Sequence, residues 1–158
     1  QLDPLTGLYN ASSARKRIEA SLQQPPSVGM HVLAVIDVNH FKQINDTCGH
    51  LTGDHALIET ARRLGSMLNE GDIAGRIGGD GFIALFRGVP SMGALEKRID
   101  ELRRGLSFPL PDGLSMSASI GIAAFPNDAA DYTGLFRLAD ASMYADKRHR
   151  DEDEMKGN

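Results

Sequence analysis

Hydrophobic and polar positions follow two periods along this chain, and these periods predict its helices and strands. Residues 31–38 are almost continuously apolar over the length of one strand, which is typical of a strand buried on both faces. Alternation with period two predicts a further strand at 114–124. Apolar residues spaced three to four apart predict helices. These helices cover residues 11–22 (after a cap at Asn10 or Ser12), 40–45 (one short turn), 52–68, 92–104 and 132–148.

A glycine-rich turn separates two short apolar runs at 72–77 and 82–86. Strand, tight turn and strand in succession predict a β-hairpin over residues 72–87. Gly78 and Gly79 permit positive φ and allow a ligand to approach the backbone closely. Asp80 then lies at the tip of the hairpin, either as part of an ordinary turn or as a carboxylate that binds a ligand.

The order of elements is strand, helices, hairpin, helix, strand, helix. This order predicts an α+β fold in which helices flank an antiparallel-dominated central sheet, of the ferredoxin-like split β-α-β kind. We expect a single domain over residues 1–150, since 158 residues are enough for one core. The charged stretch 151–158 is expected to be a frayed tail.

Composition excludes several functional classes. A net charge of −4 argues against binding to a nucleic-acid polymer or an anionic membrane surface. No apolar run is long enough to span a membrane, and no signal peptide is visible. The single cysteine, Cys48, forms no internal disulfide and fits a reducing compartment, so we expect a cytoplasmic protein. Because the chain begins at Gln1, we expect it to be a segment of a longer protein.

Asp37 follows the buried apolar strand, where a carboxylate is costly unless it is paired or bound to a metal. It either caps the following helical turn or binds a ligand. If the hairpin lies beside this strand, Asp37 and Asp80 converge, and two close carboxylates repel each other unless a cation lies between them. Ligands that are all oxygen favour Mg²⁺ or Mn²⁺, held together with substrate phosphates.

The segment after Asp37 opens a helical turn, whose N-terminal N–H groups form a natural anion site. Lys42 either adds a positive charge for a phosphate or is a solvated surface residue. Phe41 is interpreted as a core residue.

Asn45 and Asp54 flank a turn that contains glycine. The adjacent N1–H and N2–H donors of guanine match one carboxylate, and the acceptors of guanine match an amide. Asn45 and Asp54 are therefore a candidate guanine-binding pair. The alternative is that both are turn and cap residues, with Asp54 at the start of the long helix.

Together these residues form five ordered motifs that resemble the GGDEF domain family, the diguanylate cyclases of bacterial signalling proteins. The resemblance covers residues 3–150. Its motifs are DPLTGLYN (3–10), DVNHFKQINDTCGH (37–50) followed by GD (53–54), RIGGDGF (76–82), SASIGIA (117–123), and ADASMY (139–144) followed by Lys147.

The resemblance implies a fold similar to the palm of nucleotide cyclases and polymerases. It also implies a reaction in which two GTP molecules condense to cyclic dimeric GMP (c-di-GMP) and two pyrophosphates. The 3′-hydroxyl of each GTP attacks the α-phosphorus of the other. Since each domain holds one GTP, a homodimer is needed for catalysis.

The same resemblance assigns roles to individual positions. The metal, Mg²⁺ or Mn²⁺, would be bound by Asp37, Asp80 and the carbonyl of Val38. Guanine would be bound by Asn45 and Asp54. The phosphates would be bound by Phe41, Lys42 and Lys147, with Gly78 and Gly79 close to the substrate. Asp37, Asp80 and Lys42 would thus be the catalytic residues.

The chain also departs from the family pattern. Gly81 stands where the family usually has Glu, so the turn has one carboxylate fewer. Asn39 stands where the family commonly has an acid. Ala11 and Asp151 stand where the family has an arginine. The inhibitory product site of the family uses Arg-x-x-Asp before the hairpin. Here Asn69 replaces the Arg and Asp72 is retained, so this site is expected to be degenerate.

Three hypotheses follow. The first is a diguanylate cyclase whose activity is reduced by Gly81. The second is a non-catalytic module that binds GTP or c-di-GMP as a sensor or partner-binding domain. The third is a related palm-fold enzyme such as an adenylate-type cyclase, against which the guanine-binding pair argues.

Overall fold

The fold is built on one central sheet with helices on both faces. The computed structural model describes residues 1–156, apart from the side chains of residues 112 and 156. The strands are β1 (Met30–Val38), β2 (Ile73–Arg76), β3 (Gly81–Val89), β4 (Phe108–Pro109), β5 (Ser115–Met116) and β6 (Ala118–Phe125). The helices are α1 (Ala11–Leu22), α2 (Phe41–Cys48), α3 (His50–Ser66), α4 (Met92–Gly105) and α5 (Tyr132–Lys156).

The central sheet has four strands in the order β2-β3-β1-β6, and every neighbouring pair is antiparallel. Along β1, Leu33 lies opposite Leu85 of β3 and Ala123 of β6. β4 and β5 form a separate two-stranded sheet. The predicted α+β class, with an antiparallel sheet flanked by helices, is confirmed.

Strand β1 is buried on both faces, as its continuous apolar sequence predicts. Val32 and Ile36 pack in a cluster that includes residues of α2, α3 and α4. Leu33 and Val35 point to the opposite face, where α1 and α5 cover the sheet. Burying a side chain of this size contributes about 1.5–3 kcal/mol, so β1 anchors both layers of helices.

Two local predictions are confirmed. Helix α1 is capped by Asn10, whose Oδ1 accepts a hydrogen bond from the Ser13 N–H at 2.9 Å. The hairpin forms from β2 and β3, with Arg76 opposite Phe82 and the turn between them.

The chain after β1 is more helical than predicted. Helix α2 continues to Cys48, where the sequence predicts only a short turn over 40–45. Helix α3 begins at His50, because Gly49 adopts a φ of 89° and allows an abrupt change of direction within one residue. The predicted loop between the two helices is therefore reduced to this glycine.

The strand predicted over 114–124 is divided into β5 and β6 by Ser117. The Asn39 backbone N–H donates to the Ser117 carbonyl at 2.9 Å, and Asn39 Nδ2 donates to Ser117 Oγ at 2.9 Å. Both bonds hold Ser117 against the loop after β1. The residues before it pair with β4 and leave the main sheet.

Helix α5 is longer than predicted. It extends to Lys156, so the described part of the stretch that was expected to fray is helical. Contacts between histidine and acidic side chains accompany the extension, including His149 with Asp153 along the helix and His40 with Glu154 across it. Gly157 and Asn158 lie outside the described residues, and the extent of the domain over 1–150 stays a prediction.

Two contacts fix the position of α5 on the sheet. Gly121 of β6 lies directly under the helix, where an added Cβ would overlap the Ala139 carbonyl oxygen and the Met143 nitrogen. Further along α5, Asp146 accepts hydrogen bonds from the Ile120 N–H at 2.8 Å and from both terminal nitrogens of Arg103, at 2.8 and 3.1 Å. Asp146 therefore joins α5 to β6 and to α4.

We expect Gly121→Ala to destabilise the protein by about 1–3 kcal/mol or more, because the methyl group has no space between sheet and helix. Urea unfolding followed by circular dichroism measures the change. Gly65→Ala on α3 is the matched control, since an added Cβ there meets nothing within 4 Å and Ala favours a helix by about 0.5–1 kcal/mol. Equal stability of the Gly121→Ala variant and the parent chain would contradict the close approach of α5.

We also expect Asp146→Asn to destabilise the protein in a pH-dependent way. Burial opposes ionisation, but the hydrogen bonds from Arg103 and the Ile120 N–H, with the charges of Arg103 and Arg150, lower the pKa of Asp146 below 3.8. A lowered pKa means that the stabilisation is present above the ordinary value and is lost as the pH falls through the lowered one.

The loss of stability in the Asn variant, about 1–3 kcal/mol at neutral pH, is expected to shrink as the pH falls below 3.8. Urea midpoints at several pH values measure it. Asp140→Asn on the same helix is the control and is expected to leave the midpoint within experimental error. A pH-independent effect of Asp146→Asn would show that the charge of Asp146 is not what stabilises α5.

Candidate functional site

The end of β1 and the tip of the β2–β3 hairpin meet at one edge of the sheet. Asp37 lies opposite Gly81 in the register of β1 and β3. The Val38 N–H donates a hydrogen bond to the Asp80 carbonyl oxygen at 2.9 Å, which ties the tip of the turn to the end of the strand. The hairpin thus lies beside β1, which is the condition under which the sequence predicts that Asp37 and Asp80 converge, and the two side chains interact.

Two carboxyl groups and one ammonium group determine the electrostatics of this edge. Burial, followed by the charge of Asp37, raises the pKa of Asp80. Lys147 Nζ of α5 lies 2.6 Å from Asp37 Oδ2. Burial opposes the charge on Lys147, but the hydrogen bond and charge of Asp37, with contributions from Asp80 and Asp151, raise its pKa overall. The positive charge of Lys147 thus offsets the repulsion between the Asp37 and Asp80 carboxylates.

Asp37 does not serve as a helix cap. The cap position of α2 is His40, whose side chain makes no capping hydrogen bond. Asp37 thus has one ion-pair partner, Lys147, in the described part of the chain. Its carboxylate, the Asp80 carboxylate and the nearby backbone carbonyls form a donor set of oxygens only, which fits Mg²⁺ or Mn²⁺.

The N-terminal segment supports the hairpin turn. Arg76 donates from Nη2 to the Gly79 carbonyl oxygen at 2.8 Å and from Nη1 to both carboxylate oxygens of Asp3 at 3.2 Å. Asp3 also accepts hydrogen bonds from the N–H and hydroxyl of Thr6, at 2.8 and 2.7 Å. Despite the opposing effect of burial, these bonds with Thr6 and Arg76 lower the pKa of Asp3.

The sequence places Asp3 and Arg76 in two of the family motifs but indicates no role for either. The sequence does contain a signal for this salt bridge, because an arginine two positions before the glycine pair needs an acidic partner. However, Asp3 and Arg76 lie 73 positions apart, and the sequence does not show which acid is used.

The glycines of the turn keep their surroundings open. Gly78 and Gly79 are exposed, and an added Cβ would meet nothing within 4 Å at either position. Neither adopts a positive φ, so the conformational freedom that the sequence suggested is not used here. An added Cβ at Gly81 would lie 3.9 Å from Asp37 Oδ1 and 3.4 Å from Ile77 Cγ1. A Cβ at position 81 would thus lie beside Asp37 at ordinary van der Waals distances.

Helix α2 begins at Phe41, shortly after Asp37 in the chain. Lys42 is exposed, whereas Phe41 is half-buried and packs against the core, as predicted. Asn39 is 5% exposed, and its amide donates to Ser117 Oγ and accepts from Ser119 Oγ at 2.6 Å. Because both ends of the amide are paired with serines, Asn39 organises the loop and does not face the carboxylates as a free ligand.

Asn45 and Asp54 lie on two consecutive helices. Neither is a cap, since α3 is preceded by Gly49 without a side-chain hydrogen bond. Asn45 Oδ1 is buried and has no hydrogen-bond partner among residues 1–156. Gly53 provides its space, because an added Cβ there would overlap Asn45 Oδ1. Asp54, the next residue, is exposed. The pair thus offers an unpaired amide oxygen and a free carboxylate.

Asp72, in the segment that resembles the product site of the family, is hydrogen-bonded within the chain. Asp72 accepts hydrogen bonds from the backbone N–H groups of Asn69 and Arg87, both at 2.9 Å, and from Arg98 Nη2 at 3.1 Å. Its side chain is only 2% exposed. The carboxylate is therefore engaged within the chain. The guanidinium of Arg98 also lies over the ring of Phe86, 4.4 Å from its centre.

A family model described as the diguanylate cyclase, GGDEF domain, matches residues 1–153 of this chain. Diguanylate cyclase DgcP from Pseudomonas aeruginosa is 36% identical over 151 residues, which are 92% of this chain and 22% of that relative. The chain thus spans about a fifth of the length of this relative. In the described part of the chain, every helix is too short or too polar to cross a membrane.

Solved structures agree with the family match. A sensory box/GGDEF family protein from Caulobacter crescentus CB15 superposes with a TM-score of 0.84 at 35% identity, over 94% of this chain and 98% of that chain. The coiled coil and GGDEF domain of DgcB from Caulobacter crescentus, crystallised with c-di-GMP, superposes with a TM-score of 0.80 at 27% identity, over 94% and 81%. With its fold, its motifs and the family match over residues 1–153 in agreement, this chain belongs to the GGDEF domain family of diguanylate cyclases.

Proposed function

We propose that this domain condenses two GTP molecules into c-di-GMP and two pyrophosphates, as one half of a homodimer in which each domain holds one GTP. The observation that carries the proposal is the convergence of Asp37 and Asp80, fixed by the hydrogen bond from the Val38 N–H to the Asp80 carbonyl. A half-buried pair of carboxylates beside an open glycine turn is suited to a metal-bound triphosphate.

In this proposal Asp37, Asp80 and the Val38 carbonyl hold Mg²⁺ or Mn²⁺. Such an ion supplies charge stabilisation at the phosphates and lowers the pKa of the attacking 3′-hydroxyl. Lys42 and Lys147 bind phosphate oxygens with their ammonium groups, and the N–H groups at Phe41 and the start of α2 add partial positive charge. Gly78 and Gly79 allow the triphosphate to approach the turn.

Guanine is bound in this proposal by Asn45 and Asp54. The Asp54 carboxylate accepts from the adjacent N1–H and N2–H donors of the base. The Asn45 amide, whose buried oxygen has no partner among the described residues, supplies a further contact to the base. Adenine lacks the N1–H and 2-amino donors, so this pair favours GTP over ATP.

A second candidate function is a non-catalytic module that binds GTP or c-di-GMP, and Gly81 is the observation that favours it. The family usually has a Glu at this position, and a Cβ added there would lie 3.9 Å from Asp37 Oδ1. Without it, the site has one negative charge fewer to hold a metal through the transition state. Each 1.4 kcal/mol lost there slows the reaction about tenfold.

The role of Asp54 is tested by isothermal titration with GTP and with ATP in the presence of Mg²⁺. We expect Asp54→Asn to weaken GTP binding by at least about tenfold, because a bidentate contact to a charged group contributes about 1.5–3 kcal/mol. The weak binding of ATP is expected to stay the same. Asp46→Asn, at an exposed position on α2, is the matched control. Unchanged GTP affinity in the Asp54 variant would contradict guanine recognition by this pair.

The catalytic proposal is tested on the domain dimerised through a fused coiled coil and incubated with GTP and Mg²⁺. We expect slow formation of c-di-GMP, measured by chromatography. Gly81→Glu is expected to accelerate it by about tenfold or more, since it adds a carboxylate next to Asp37. Gly81→Gln is the matched control, with the same shape and no charge, and is not expected to accelerate the reaction.

The outcomes separate the two functions. If neither the parent chain nor Gly81→Glu forms product, the cyclase proposal is wrong. Binding of GTP or c-di-GMP by such an inactive chain would then support the non-catalytic module. Product from Gly81→Glu alone would assign the defect of this chain to position 81.

A further inference from the structure

Three side chains with metal-binding atoms meet where the last turns of α5 pass the loop after β1. They are His40, Asp151 and Glu154. His40 Nε2 lies 3.0 Å from Glu154 Oε2 and 3.5 Å from Asp151 Oδ1. All three ligand atoms lie within 4.8 Å of one another. None of these residues belongs to the nucleotide site proposed above, and the family pattern has an arginine where this chain has Asp151.

The spacing of these atoms suits a single metal ion. Bonds from Zn²⁺ to nitrogen and oxygen are about 2.0–2.2 Å long, which places neighbouring ligands in a tetrahedral shell roughly 3.3–3.6 Å apart. The separation of 3.5 Å between His40 Nε2 and Asp151 Oδ1 lies in this range, and the 3.0 Å separation between His40 Nε2 and Glu154 Oε2 would lengthen by roughly 0.3 Å on binding. One imidazole and two carboxylates would occupy three positions of such a shell and leave the fourth to water.

Helix α5 and the loop after β1 hold the three side chains in fixed positions. Asp151 and Glu154 are three residues apart on α5, so they lie on the same face of the helix. His40 has a left-handed backbone conformation, with φ 56° and ψ 35°, and its side chain makes no capping bond to α2. The imidazole is instead directed to α5, 114 positions along the chain from its own place at the start of α2.

The donor set also indicates the kind of metal. Mg²⁺ prefers oxygen ligands only, whereas an imidazole nitrogen with carboxylates suits Zn²⁺ and the neighbouring first-row ions. We propose that His40, Asp151 and Glu154 form a second metal site, which binds Zn²⁺ and joins the end of α5 to the loop that follows β1. It is distinct in chemistry from the oxygen-only site at Asp37 and Asp80.

The second site lies close to the first. Lys147 is one helical turn before Asp151, and the charge of Asp151 contributes to the raised pKa of Lys147. His40 is two residues after Val38. Zn²⁺ at this site would therefore neutralise the acidic end of α5 beside Lys147. It would also hold the helix against the loop that follows β1.

The simpler alternative is an exposed ion pair between His40 and the two acids. A second pair of this kind provides the comparison. His149 Nε2 lies 3.5 Å from Asp153 Oδ2 on the same helix, but this pair is not part of a three-ligand group among residues 1–156. If a histidine–carboxylate pair were sufficient to bind Zn²⁺, His149 and Asp153 would bind it equally well.

The test is a Zn²⁺ titration of the complete 158-residue chain against a coloured chelator, in millimolar Mg²⁺ so that Mg²⁺ competes at the oxygen-only site. We expect one Zn²⁺ per chain. The affinity for Zn²⁺ is expected to fall by at least about tenfold in the single variant His40→Asn and in the double variant that combines Asp151→Asn with Glu154→Gln. Asn tolerates the left-handed conformation, so His40→Asn keeps the fold, which circular dichroism checks. His149→Asn is the matched control and is expected to keep the parent affinity.

Imidazole NMR signals provide a readout that does not depend on the variants. We expect Zn²⁺ to shift the ring signals of His40 and to leave those of the buried His31 and of His149 unchanged. Failure to bind Zn²⁺ below millimolar concentration would overturn the proposal. Binding that survives His40→Asn, or a Zn²⁺-induced shift at His149 in place of His40, would overturn it as well.

Discussion

The repulsion between the Asp37 and Asp80 carboxylates is the constraint on which the proposed activity depends. At an effective dielectric constant of about 20, two unit charges about 4 Å apart repel by about 4 kcal/mol. That is a large part of the 5–15 kcal/mol by which a typical domain is stable. The backbone bond between Val38 and Asp80 holds the pair in place, and Lys147 compensates it at 2.6 Å from Asp37. A metal-bound nucleotide would supply a stronger compensation, which makes this edge of the sheet a binding site.

The rest of the fold keeps these groups in place. Strand β1 is buried on both faces and carries Asp37 at its end. Gly121 lets α5 lie directly on the sheet, and Asp146 fastens it one residue before Lys147. The salt bridge between Asp3 and Arg76 supports the turn that carries Asp80. Each contact is remote from the proposed chemistry, and each sets the position of one charge in it.

The sequence predicts those parts of the fold that depend on local hydrophobic patterns and on turn residues. The buried strand and the hairpin follow from apolar periodicity and turn residues. The convergence of Asp37 with Asp80 depends in addition on the pairing of β1 with β3, which the local pattern does not give. The sequence does not predict the division of the strand at Ser117, because Asn39, far away in the chain, causes it through two hydrogen bonds. The helical end of α5 is missed for a similar reason. Its acidic composition suggests fraying, whereas in the fold His40 pairs with Glu154.

A crystal structure with a non-hydrolysable GTP analogue and Mg²⁺ is the decisive test of the proposed site. We expect a metal ion in contact with Asp37 and Asp80, guanine on Asn45 and Asp54, and Lys147 on a phosphate oxygen after release from Asp37. A structure at saturating nucleotide in which Lys147 still pairs with Asp37, with no metal between the two carboxylates, would contradict it.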